Sequence, residues 1–91
     1  MTAHRQIASN LGLPEGRALQ AVFKARMIDA VLKESERRGL THAELAERSG
    51  LPRSAVTGIL SGSVQRVTVD RVLRLVAGAG LVADIRIRRA T

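Results

Sequence analysis

Few side chains in the 91-residue sequence are of types that do chemistry, and their spacing excludes most of what they could do. There is no cysteine, so neither a disulfide framework nor a thiolate metal site can form. The two histidines, His4 and His42, are far apart and at no metal-ligand spacing. Glu34, Glu36, Glu44 and Glu47 lie in helical patterns as solvated charges, with no histidine, cysteine or lysine array around them to make acid–base machinery. Ser61-Gly62-Ser63 lacks the pattern of a phosphate-binding loop and reads as a turn. Phe23, the single aromatic residue, and Met27 sit at core spacing rather than in a cofactor box. No catalysis, metal or cofactor is expected. What remains is arginine.

The formal net charge is +7, and it is unevenly placed. Residues 1–52 carry a net of +2, while residues 53–91 carry +5, all of their positive charge on Arg53, Arg66, Arg71, Arg74, Arg86, Arg88 and Arg89. The guanidinium is a planar, permanently charged fork, suited to phosphates and to base edges. A basic half-domain is the electrostatic footprint of a polyanion binder, although a merely soluble, arginine-rich surface has the same count. A chain this short forms one domain and buries only about 60–65% of its unfolded surface, so a partner surface would help it.

Positioning these arginines requires ordered elements, and the hydrophobic pattern supplies them. Residues 1–16 form a mixed polar arm ending in LGLPEG. From Arg17 to Arg38, Leu19, Val22, Phe23, Met27, Ile28, Val31 and Leu32 recur at spacings of three and four, which predicts a long helix with Lys24 among its polar positions. Gly39 stops it. Thr41 and Glu44 have the spacing of a capping box at the start of a short helix that Gly50 ends. Leu51-Pro52 opens a third helix, about Arg53 to Leu60. Thr68 caps a fourth, carrying Val69, Val72, Leu73, Val76 and Ala77 and ended by Gly78 and Gly80.

Residues 42–61, HAELAERSGLPRSAVTGILS, have the layout of a helix-turn-helix. Ala46 is small where two helices cross, Gly50 supplies the positive φ of a tight turn, and Val56 and Ile59 form the inward face of the second helix. An ordinary αα-corner in a small bundle is the bland alternative. In the helix-turn-helix reading, Arg53, Ser54, Thr57 and Gly58 face base edges in the major groove, with Arg53 as the main direct reader. Thr41, His42, Ser61, Arg66, Arg71 and Arg74 are then the candidates for backbone phosphates.

Residues 39–62, GLTHAELAERSGLPRSAVTGILSG, resemble the Cro/repressor-type (XRE) helix-turn-helix regulators. The longer frame, from LGLPEG to SGSVQRVTVDRVLRLVAGAGLVADIRIRR, resembles their HigA-like antitoxin branch over most of the chain. The resemblance implies a mainly α, lambda-repressor-like domain of four to five helices with a short C-terminal extension. It also implies a homodimer that binds palindromic operator DNA, neutralises a RelE-fold toxin and represses its own operon. The branch also contains stand-alone and phage-derived regulators without a toxin. Two departures stand out: His42 replaces the usual first-position Gln that contacts the DNA backbone, and Gly58 lies inside the recognition helix, where it costs about 0.5–1 kcal/mol relative to Ala. A His42 imidazole can substitute for the Gln contact or be a simple surface residue beside the cap.

The last segment changes period. Ala83, Ile85 and Ile87 alternate with Asp84, Arg86 and Arg88, which predicts one half-buried strand over 82–89. A lone strand leaves its backbone N–H and C=O groups without a ladder, so it must pair with a second copy, with another protein or with residues near the N-terminus. Pairing across a dimer through Val82, Ile85 and Ile87, with Ile85 and Ile87 facing the helices, is the expectation. The start of the chain lacks the apolar run of a signal peptide, and no stretch approaches the roughly 20 apolar residues of a membrane span, so a cytoplasmic location is expected. Two other functions compete with a repressor: a module, using residues 1–20 and the first helix, that chiefly masks a toxin, and a nonspecific nucleoid protein.

Overall fold

The computed structural model describes residues 15–62, 64 and 66–89. Among them are four helices: α1 (Glu15–Arg38), α2 (His42–Ser49), α3 (Arg53–Leu60) and α4 (Val69–Gly78). Each lies within two residues of the range expected from periodicity and caps. The expected N-terminal arm falls almost wholly outside the described residues.

Helix α1 is the scaffold, and α4 packs across both α1 and α2. Ile28 and Val31 of α1, Leu45 of α2, Leu51, Val56 and Ile59 from the turn and α3, and Val67, Val72, Leu75, Val76 and Ala79 make one buried cluster. This is the 3.6-residue apolar stripe of each helix closed onto the others. Lys24 departs from its expected polar-face position: it is 6% exposed, and its Nζ donates to the Val67 carbonyl oxygen at 2.8 Å. Phe23 departs in the opposite direction. Expected in the core, it is 46% exposed, because it lies on the side of α1 that borders a surface groove.

Two helix ends share one closing device. After α1, Leu40 N–H donates to Ser35 O at 2.9 Å and Gly39 N–H to Glu36 O at 3.4 Å. After α4, Leu81 N–H donates to Val76 O and Gly80 N–H to Ala77 O, both at 3.0 Å. Both are Schellman motifs, in which the following leucine folds back onto the core. Arg38 joins the two ends by donating to Ala79 O at 2.9 Å, and Gly80, at φ 80°, leaves room for that guanidinium. Gly78 was expected only as a helix stop. It is the last residue of α4, and a Cβ there would lie 3.0 Å from the Ser49 backbone nitrogen, so its absence lets α4 cross α2 at close range.

The expected strand does not form in the single chain. Among the described residues there is no β-ladder, and residues 81–89 have no regular secondary structure. Val82, Ile85 and Ile87 are 86%, 83% and 89% exposed, so neither isoleucine packs on the helices of its own chain. The physical reason is the one that made the segment conspicuous: an alternating segment needs a second strand, and no described segment supplies one.

Candidate nucleic-acid interface

The two short helices are fixed by local chemistry. Thr41 Oγ1 accepts from Glu44 N–H at 3.0 Å, and Glu44 Oε1 accepts from Thr41 N–H at 2.9 Å, closing the capping box at the start of α2. These bonds hold the Glu44 carboxyl below its ordinary range. Gly50, at φ 75°, ends α2 in the left-handed region, and its N–H donates to Ala46 O at 3.0 Å. Buried Leu51 then pins the turn to the core, and Pro52, at φ −60°, starts α3.

Helix α3 presents two unlike faces. Val56 and Ile59 are buried, whereas Arg53, Ser54, Thr57, Gly58 and Ser61 are exposed, following the one- and three-residue steps of a single helical face. The outward face is polar or bare of side chain throughout. At Gly58 an added Cβ would meet nothing within 4 Å, so the helix surface is flat there. The start of α3 has no side-chain cap and no acid in its first turn. Its positive end is therefore left without a side-chain partner.

His42 and Thr57 are brought together by the fold. His42 Nδ1 lies 2.9 Å from Thr57 Oγ1, joining the first residue of α2 to the middle of the outward face of α3. With the proton on Nε2, Nδ1 accepts from the Thr57 hydroxyl; with Nδ1 protonated, the ring donates instead. The unusual first-position His42 was legible in the sequence, but its partner, fifteen residues away, was not. Ser61 donates from Oγ to Thr57 O at 2.6 Å, which closes the last turn of α3. Thr41's hydroxyl oxygen serves the cap while its own proton stays available to an acceptor.

The remaining predicted residues are spread further. Arg66 is exposed in the connection between α3 and α4. Arg71 and Arg74 are exposed on α4, which packs against α1 and α2, so they do not extend the α3 face directly. Arg74 is held by Asp70 at 3.3 Å. Sequence reasoning missed the buried Lys24 bond that anchors this same connection at Val67. No pattern within α1 signals it, because its acceptor lies forty-three residues away.

A capped helix, a glycine turn and a second helix with a buried apolar face and an outward polar one define a helix-turn-helix domain, the class of fold whose second helix enters a DNA groove. The family model described as a helix-turn-helix domain matches residues 7–88, and the chain belongs to that family. The match runs from the N-terminal arm through Arg88 and so includes the tail after α4. Among curated proteins and among solved structures, none matches the chain significantly. No described helix is long and apolar enough to cross a membrane, and no described group of histidines and carboxylates could hold a metal ion.

Proposed function

We propose that the protein is a sequence-specific transcriptional repressor of the XRE type, acting as a cytoplasmic homodimer on a palindromic operator. From its resemblance to the HigA-like branch we assign it the role of antitoxin in a type II toxin–antitoxin operon, one that binds a RelE-fold toxin and autoregulates; the alternative is a stand-alone regulator without a toxin. The observation that carries the DNA reading is the outward face of α3, where Arg53, Ser54, Thr57, Gly58 and Ser61 are exposed together on a helix with an uncapped, acid-free start. Arg53, Ser54, Thr57 and Gly58 read bases. Thr41, His42, Ser61, Arg66, Arg71 and Arg74 contact phosphates. The protein is not an enzyme and needs no cofactor. In a dimer the two α3 helices sit about 34–36 Å apart, one duplex turn.

Fluorescence anisotropy with a promoter-derived palindrome and a scrambled duplex tests this reading. The palindrome should bind at least tenfold more tightly, and affinity should fall steeply between 50 and 200 mM salt as phosphate neutralisation releases counterions, by roughly a thousandfold or more. Equal affinity for both duplexes would leave a nonspecific nucleoid protein. Co-purification of a small basic product of the adjoining reading frame supports the antitoxin role, and its absence leaves a stand-alone regulator.

Gly58 gives a sharper check. Gly58→Ala should stabilise the free protein by about 0.5–1 kcal/mol, because the position is helical and open. The same methyl should weaken operator binding, because it intrudes where bases approach the helix. A urea melt and a titration on one preparation read both signs. Unchanged affinity would place Gly58 outside the contact surface.

A further inference from the structure

Beside α1 and α4 lies an open groove bordered by Phe23, Met27, Val69 and Leu73, with Ala83 to Arg86 of the tail along its edge. Leu73 is 44% exposed and the neighbouring Ile85 is 83% exposed, so the apolar surface of the groove and the apolar side chains of the tail stand side by side without covering each other. The tail's alternation assigns Ala83, Ile85 and Ile87 to one face and Val82, Asp84, Arg86 and Arg88 to the other. A second copy of the same segment is the occupant that the charges select.

Residues directly opposite in an antiparallel pair share a face; opposite charges there stabilise, and like charges destabilise. Pairings that set an odd-numbered residue against an even-numbered one put isoleucines among charges on both faces. Within residues 82–88 five registers remain, each with a residue on the two-fold axis. The one with its axis at residue 83 sets Asp84 against apolar Val82 and leaves Arg86 and Arg88 unpaired. An axis at residue 84 sets Asp84 against itself. An axis at residue 86 sets Arg86 against itself, and one at residue 87 sets Arg86 against Arg88 twice. Only the axis at Ile85 pairs Asp84 with the partner's Arg86 twice and sets no like charges opposite.

Resting on the homodimer reading above, we propose that residues 82–88 of two chains form an antiparallel ribbon with its two-fold axis at Ile85. The ribbon's apolar face, Ala83, Ile85 and Ile87 from each copy, lies over the Phe23–Leu73 grooves. An isolated two-stranded ribbon is marginal in water, and packing against the α1–α4 surface is what makes this one stable. The charged face stays in solvent.

Because the chain has no cysteine, the register can be read by cross-linking in the full-length protein. Opposed residues have Cα atoms about 4.5–5.5 Å apart, within disulfide range, while two-residue offsets exceed it. Ile85→Cys should give a covalent dimer under mild oxidation, and Asp84→Cys or Arg86→Cys alone should not. A mixture of the last two should give the 84–86 heterodimer. In sedimentation velocity, Asp84→Arg should shift the protein towards monomer, and the double exchange Asp84→Arg/Arg86→Asp should restore the dimer. Helical content by circular dichroism should be unchanged throughout, since the tail is exposed in the single chain. A dimer that fails to cross-link at residue 85 overturns the ribbon while leaving homodimerisation intact. A wild-type protein that stays monomeric with and without operator overturns homodimerisation itself, and leaves the tail as an edge for a strand of another protein.

Discussion

Arg53→Ala will lower affinity for the cognate operator by about 1–3 kcal/mol, roughly five- to 150-fold, while changing affinity for random duplex far less. The asymmetry follows from where Arg53 stands. It is the first residue of α3, exposed, and among the described residues no carboxylate pairs with it. Arg37 and Arg74 are different: Glu34 holds the first at 2.7 Å and Asp70 the second at 3.3 Å. A partnered guanidinium must give up or share that partner to meet DNA, whereas Arg53 keeps its five donors for the groove. Arg53→Lys separates charge from fork. If Arg53 reads guanine bidentately, lysine restores nonspecific binding but not the base preference. Anisotropy titrations against the operator and its single-base variants measure both effects. Equal weakening on every duplex would make Arg53 a phosphate contact and move base readout to Ser54 and Thr57.

How much of this was legible in the sequence depended on the range over which each feature is determined. The capping box at Thr41 and Glu44, the turn at Gly50 and the Val56–Ile59 face are set within a few residues, so type and spacing specify them almost completely. The outward face of α3 follows from the same periodicity. Lys24 could not be found this way, because residue type and helical position both read as solvent-facing until the Val67 carbonyl is brought over it. Phe23 carried the correct apolar spacing, but spacing marks a face and does not distinguish a core from a surface groove. The tail is the sharpest case. Its two-residue period says what surface it fits, yet nothing in one chain says where that surface is, and the single chain leaves both isoleucines exposed. His42 and Thr57 are intermediate: each was marked as a DNA-facing position, and only the crossing of α2 and α3 makes them a pair.

Lys24→Met will destabilise the fold by about 1–3 kcal/mol, the cost of leaving a buried acceptor without its donor. The methionine keeps most of the apolar stem, so little of the loss comes from packing. Val67, whose carbonyl accepts from Lys24 at 2.8 Å, is itself in the core and lies just before the Thr68 cap of α4. The bond therefore fixes the point at which the chain leaving α3 is handed to α4. For a domain stable by about 5–15 kcal/mol this is a substantial fraction, equivalent to a fall in Tm of several degrees. Lys24→Ala should cost more, since the stem's packing is lost as well. Urea melts of the three proteins rank them, and amide exchange shows where the loss acts. Faster exchange at Val72, beside the α4 start, with little change at Leu45 would locate it at the α3–α4 connection. A Met variant as stable as wild type would mean that water reaches Val67 in place of the ammonium, and that apolar packing of the Lys24 stem, rather than its hydrogen bond, secures this connection.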